Sequence, residues 1–181
     1  MNNKKLAIIG AGGHGSVVYD CAKNSCEYES VFFLDSNYPR KKKHKGLPVV
    51  DTFENFISAP PPGIDYFVAI GDNQARKKLC ETIIALQYPL VTLIHPQAVV
   101  SGDVKIGAGA LIMPGSVINT GSTLGTGVIV NTCASVDHDN EISDFVHLAP
   151  GARLAGGVVV DDCSMVGIGA IVVQNIRIGS N

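Results

Sequence analysis

The chain has 181 residues, 46% of them hydrophobic and 17% charged, with 20 glycines and no tryptophan. That is the composition of a globular protein of one or two small domains, and it excludes a disordered chain. A formal net charge of −2 gives no electrostatic reason to expect nucleic acid or an acidic membrane surface as a partner.

The N-terminus, Met1-Asn2-Asn3-Lys4-Lys5, leads into a short apolar stretch that ends in glycines. Neither a signal peptide nor a membrane span is expected from it. The five cysteines, Cys21, Cys26, Cys80, Cys133 and Cys163, are odd in number and form no CxxC motif. They fit a reducing compartment, and the expected location is cytoplasmic.

Residues 4–94 read as α/β. Leu6 to Ile9 is a buried strand, Gly10-Ala11-Gly12-Gly13-His14-Gly15 a tight loop, and the stretch from about Ser16 to Lys23 a helix. Val31 to Leu34 is a second strand, ended by Asp35. The run Arg40, Lys41, Lys42, Lys43, Lys45 reads as a solvated loop. Tyr66 to Ile70 is a third strand. Asn73 can cap a helix to about Leu86, with Leu79, Ile83 and Leu86 on one face. Leu90 to Ile94 is a fourth strand, and His95-Pro96 marks the domain boundary, giving domains 1–95 and 96–181. Strands alternating with helices imply a parallel sheet.

The second half follows a different rule. Val100, Ile106, Ile112, Ile118, Leu124, Val130, Val136, Ile142, Leu148, Leu154, Val160, Val166, Val172 and Ile178 place an aliphatic side chain at every sixth residue. Neither a helix, with its period of about 3.6, nor a simple strand, with its period of about 2, gives this spacing. A hexapeptide-repeat parallel β-helix does. Three six-residue faces make an eighteen-residue coil. Ala110, Ser116, Ser122, Ala134, Ala152, Ser164 and Ala170 supply small residues for tight corners, and Gly107, Gly109, Gly125, Gly127, Gly167 and Gly169 supply turns. The spacing leaves handedness open. The sequence ends within a repeat, without the cap that closes most solenoids. The expectation is either a piece of a longer chain or a last coil covered by a partner subunit.

Gly10-x-Gly12-x-x-Gly15 between a strand and a helix, with Asp35 twenty residues past Gly15, is the context of a nucleotide-binding fingerprint. Glycines let the backbone approach a diphosphate, and a helix N-terminus favours its charge. Only three or four strands precede Pro96, a half-Rossmann unit suited to one nucleotide and its diphosphate. A sugar nucleotide is therefore expected over NAD or a ligand-free turn. His14 inside the loop would point at whatever lies across that site.

Of the five histidines, His44 and His95 read as structural or solvated. His138 and His147 are nine residues apart, half a coil, so they cannot stack on one face. Asp137 and Asp139 flank His138, and either carboxylate could fix its tautomer. Such a pair makes a general base, against the alternative of a polar corner in water. A metal reading would need a third ligand, from a neighbouring subunit.

These motifs together resemble the bacterial sugar O- and N-acetyltransferases of the sialic-acid O-acetyltransferase (NeuD-like) and nucleotide-amino-sugar N-acetyltransferase family, in the hexapeptide-repeat acyltransferase superfamily. The resemblance runs through residues 6–15, Phe33-Leu34-Asp35, Lys45-Gly46-Leu47-Pro48-Val49, Ile70-Gly71-Asp72-Asn73, Leu93-Ile94-His95-Pro96, Asn131-Thr132, residues 136–139, residues 142–147 and Gly151-Ala152. It implies a homotrimer of left-handed β-helices with acetyl-CoA between neighbouring prisms, and no metal. It implies His138 as general base, Asp139 as its orienting carboxylate, and His147 with the Gly156 amide at the acetyl thioester. It also implies Asn131 in the acceptor pocket, and Gly10, Gly12, Gly13, His14, Gly15 and Asp35 around the sugar nucleotide. Attack on acetyl-CoA would be direct, Cys133 and Cys163 being small core or corner residues rather than nucleophiles. Family members continue for another coil or two and a Gly-Val-Pro-Ala-like tail over the CoA, which this sequence lacks. The expected reaction is N-acetylation of a nucleotide-linked amino sugar, such as a UDP-4-amino sugar, in surface-glycan synthesis. The alternatives are O-acetylation of a sialic-acid-like sugar, a non-enzymatic sugar-nucleotide-binding protein and a metal-dependent hydratase.

Overall fold

The computed structural model describes residues 4–25 and 27–180; Cys26 and Asn181 lie outside the described residues. The N-terminal module is a five-stranded sheet flanked by helices. Its interior strand β1 (Lys5–Ile9) is buried except at Lys5, as a run of aliphatics in a parallel sheet requires. Around it stand β2 (Ser30–Leu34), β3 (Lys43–His44), β4 (Leu47–Asp51) and β5 (Ile64–Val68), in the order β3-β4-β2-β1-β5. All pairings are parallel except β3 with β4.

Several local expectations need correction. Helix α1 (Gly13–Ser25) starts inside the glycine motif, not after it. Strand β4 and the short helix α2 (Phe53–Ile57) are additions to the sequence reading. The basic run and Pro48 masked β4, whose only buried residue is Val49. The third helix, α3 (Asn73–Ala85), is capped by Asp72, whose carboxylate accepts from Ala75 N, and not by Asn73. Its buried stripe is Arg76, Cys80 and Ile83, while Leu86 is exposed. Residues 90–94 are no fourth strand of this sheet. Leu90 makes one bridge to Tyr66, and β6 (Leu93–Ile94) pairs with Leu111–Ile112 of the second half. The run is split where the backbone changes partner, from Val91 N donating to Tyr66 O to Leu93 N donating to Ala110 O, and the Thr92 hydroxyl between them donates to Gly107 O of the repeat region.

From β6 onward the chain is a left-handed parallel β-helix of two-residue strands in three five-stranded sheets. Partners are eighteen residues apart throughout, as in Ile118↔Val136 and Val136↔Leu154. The series begins one repeat earlier than the aliphatic run, at Ile94. Ten of the fourteen aliphatics are buried, and Val100, Ile106, Val172 and Ile178 near the two ends are only partly so. At about 1.5–3 kcal/mol for each fully buried side chain, the central coils carry most of the prism's hydrophobic stabilisation. Every sixth residue from Gly109 to Asn175 turns a corner with positive φ. Cys133, Asp139, Phe145, Cys163 and Asn175 occupy this conformation beside seven glycines. Gly107 and Gly125 are not among these left-handed corners; they are required by contact instead. A Cβ on Gly107 would lie 2.6 Å from the Gly125 carbonyl carbon.

The two halves share a core. Leu6, Ile8 and Val18 pack with Leu93, Leu111, Met113 and Ile129. Ile83 and Cys80 pack with Phe145 and Cys163. The glycine loop is thereby seated against the prism sheet that contains His147.

Candidate active site

His138 lies on the turn between the strands Ser135–Val136 and Glu141–Ile142. Its side chain is 58% exposed, and Nδ1 donates to Asp139 Oδ2 at 2.9 Å. That bond leaves the Nε2 lone pair free. It is also the main reason the His138 pKa lies above the usual imidazole value. Asp137 is not the orienting carboxylate. Its Oδ1 accepts from Asn119 Nδ2 at 2.9 Å and from the His138 backbone N–H at 3.0 Å.

The turn that presents His138 is fixed from inside the prism by Asn140, which is fully buried. Its amide donates to Asp137 O at 2.6 Å, and its Oδ1 accepts from Val158 N at 2.9 Å. Gly156 lies one coil further on, directly against the imidazole. A Cβ there would be 2.5 Å from His138 Cε1.

His147 is elsewhere, at the start of the strand His147–Leu148 and 8% exposed. Its Nε2 lies 3.1 Å from Asn131 Nδ2. Asn131 Oδ1 accepts from Thr132 N at 2.8 Å, so the Asn131 amide faces His147 as donor. Nε2 therefore accepts and the His147 proton sits on Nδ1. His14 from the glycine loop faces it, with ring centroids 6.5 Å apart. Burial lowers both pKa values to about 4, with Arg76 adding to the effect. The His14 Nε2 is buried and finds no hydrogen-bond partner among the described residues.

The glycine loop has the geometry its motif requires. Gly10 adopts φ +106°, and a Cβ on Gly15 would lie 2.1 Å from Gly10 O. Asp35 Oδ2 accepts from Ala11 N at 2.8 Å, and Oδ1 accepts from Asn37 N and Nδ2. Burial opposes its charge, yet these N–H groups outweigh that and hold the carboxyl below the usual range. A pocket of about 140 Å³ opens beside the loop, lined by Gly10, Leu34, Asp35, Phe53, Glu54 and Ile70. It lies at the C-terminal ends of β1, β2 and β5, where ligands enter open α/β sheets.

The basic run is only partly solvated. Lys41 Nζ donates to Ala11 O, and His44 Nε2 lies 2.9 Å from Ser16 Oγ, so the segment straps the glycine loop. Burial lowers the His44 pKa. His95 is buried and structural, its Nδ1 accepting from Gln97 N at 3.1 Å. Cys133 is an exposed corner and Cys163 a buried one.

Within one chain the sequence-derived residues thus form three groups. His138, Asp139 and Gly156 share a corner. His14, Asn131 and His147 share the junction between the two halves. Gly10, Gly12, Gly13, Gly15 and Asp35 form the loop. His147 and Gly156 are not brought together. Asn140 and Arg76 escaped the sequence reading. Asn140 left a trace, being an amide where most other coils carry Ala, Ser or Val.

A parallel β-helix with a His–carboxylate pair at a corner, joined to a glycine-loop α/β module, defines a hexapeptide-repeat acyltransferase. Comparison with known proteins narrows the class. Residues 5–83 match the family described as the PglD N-terminal domain. The chain is 31% identical over 173 residues to GDP-perosamine N-acetyltransferase of Escherichia coli O157:H7, an alignment covering 93% of this chain and 78% of the relative. It is 37% identical over 115 residues to UDP-N-acetylbacillosamine N-acetyltransferase of Bacillus subtilis (strain 168), covering 61% and 51%. Its fold superposes with a TM-score of 0.94 on the acetyltransferase domain of PglB from Neisseria gonorrhoeae FA1090, solved with acetyl coenzyme A. That structure is 42% identical, with 98% of this chain and 86% of the other covered. The chain belongs to the family of nucleotide-amino-sugar N-acetyltransferases.

Proposed function

We propose that the protein transfers the acetyl group of acetyl-CoA to the amine of a nucleotide-linked amino sugar, a step in surface-glycan synthesis. The observation that carries the reading is the 2.9 Å His138–Asp139 bond on a solvent-open corner, with Gly156 leaving room for the ring. Asp139 holds the proton on Nδ1, so Nε2 is the base. The amine nitrogen attacks the acetyl carbonyl as Nε2 takes its proton. The tetrahedral adduct then expels the CoA thiolate, which recovers that proton from the imidazolium. A positioned base of this kind contributes about 10²–10⁴ in rate.

Gly10, Gly12, Gly13, Gly15 and the N-terminus of α1 hold the diphosphate, while Asp35 braces the loop through Ala11. Asn131, His14 and His147 line the junction side of the acceptor and thioester site. A single chain keeps that junction apart from the His138 corner. A homotrimer in which a second prism faces the first closes the groove between them for acetyl-CoA. The free thiols at Cys21, Cys80, Cys133 and Cys163 fit a reducing compartment, the cytoplasm. Among the described residues no helix is long and apolar enough to cross a membrane.

The test is thiol release from acetyl-CoA with GDP- and UDP-linked 4-amino sugars and with the matching 4-hydroxy sugars. The proposal expects release only with the amines. Release only with the hydroxyl series would assign O-acetylation instead. Light scattering of the purified protein reads the oligomer, with three times the chain mass expected.

A further inference from the structure

Arg76 is the largest side chain that is almost wholly buried, at 1% exposure. It stands on the apolar stripe of α3 with Cys80 and Ile83. Among the described residues no carboxylate receives its guanidinium in a salt bridge. Instead it donates five hydrogen bonds to neutral oxygens from both halves of the molecule. Nε donates to Gly127 O and Nη2 to Phe145 O of the prism, each at 2.8 Å. Nη1 donates to Ile70 O and Gly71 O at 3.1 Å, and Nη2 to Asn73 Oδ1 at 2.7 Å, within the α/β module. Asn73 extends the clamp, its amide donating to Cys163 O at 2.7 Å and Ser164 O at 3.1 Å.

A buried cation is a costly way to fill space, because an apolar side chain of similar volume often serves stability as well. What the guanidinium adds is direction. Its rigid planar fork satisfies two prism carbonyls and three module oxygens in only one relative placement of the two bodies.

We propose that Arg76 is a positioning residue that sets the register between the glycine-loop module and the prism, and so where a nucleotide-held substrate meets the prism's histidines. The proposal rests on the acetyl-transfer reading for its kinetic consequence. A nucleotide bound in the loop carries its amine to the prism only if the two bodies keep their spacing. A misplacement of about 1 Å can cost about a hundredfold in rate without weakening either binding step.

The experiment compares the wild type with Arg76→Lys and Asn73→Ala. Circular dichroism and thermal melting verify folding. Calorimetry with UDP and with GDP measures the loop, and steady-state kinetics give kcat and the KM for acetyl-CoA. Arg76→Lys keeps the charge but loses the fork. It is expected to lower kcat by about tenfold or more, with nucleoside diphosphate Kd and acetyl-CoA KM within about twofold of wild type. Asn73→Ala moves the same way by a smaller factor. A folded Arg76→Lys with wild-type kcat overturns the proposal. So does a nucleotide Kd that weakens in step with kcat, which marks simple damage to the module. If Arg76→Lys does not fold, Asn73→Ala decides by the same two criteria. If the wild type transfers no acetyl group, the activity reading has failed on its own. The register is then read from the His147 imidazole NMR signal, where a shift in the variants supports it and identity to wild type overturns it.

Discussion

Two histidines half a coil apart on one prism live in opposite surroundings. His138 stands in solvent beside two carboxylates, and its hydrogen bond to Asp139 lifts its pKa. His147 is sealed between the two halves near the Arg76 guanidinium, and burial pushes its pKa down to about 4. The six-residue repeat places His138 on a corner turn and His147 at the start of a strand, but the repeat alone does not set their chemistry. The neighbours do. One histidine is free to exchange a proton, and the other is buried and held neutral, with Nε2 occupied by Asn131.

The largest effect that can break this contrast is His138→Ala. Loss of the base should lower kcat by about 10² or more at neutral pH while thermal stability stays unchanged, because the side chain is mostly exposed. Stopped assays of thiol release together with melting curves check it. A near-normal rate would remove His138 from the chemistry. Gly156→Ala comes next. Its Cβ would lie 2.5 Å from His138 Cε1, too close for the ring to stay, and the exposed ring can swing aside cheaply. About a tenfold fall in kcat with little change in melting temperature is expected, since the base is displaced rather than lost.

Asp139→Asn sharpens the comparison through pH. The carboxylate is the main cause of the raised His138 pKa, so its removal lowers that pKa. The base must be neutral to act, and the acidic limb of kcat/KM should therefore shift to lower pH. A limb that stays in place would assign it to another group.

The smallest effect concerns stability. His14 and His147 have folded pKa values of about 4, below the unfolded value of about 6.5. Between those values the unfolded chain binds more protons, so stability is full above about pH 6.5 and is lost as pH falls toward 4. The melting temperature should decline over that window, and His147→Gln should flatten the decline. An equal slope in the variant would show that His147 titrates normally.

How much of this was legible from residues differs between the halves. In the prism the six-residue aliphatic spacing fits a parallel β-helix and neither a helix nor a simple strand, so strands and coil length could be read directly, though not the handedness. The residues alone left Asp137 and Asp139 as equals and only the resemblance named Asp139; in the fold its corner has positive φ and its carboxylate meets Nδ1. In the α/β half the local signals competed. Basic residues and Pro48 concealed β4, and an apolar run at residues 90–94 was divided between two sheets by contacts far along the chain. Arg76 and the His14–His147 pair were hidden for the same reason. Their meaning lies in partners 51 to 133 residues away, and no local pattern encodes them.

The most direct test of the contrast is an NMR titration of the protein with carbon-labelled histidine, signals assigned by His138→Ala and His147→Gln. The account predicts that His138 titrates above the ordinary imidazole range and that His147 stays neutral until about pH 4. Two histidines titrating together near pH 6.5 would contradict it.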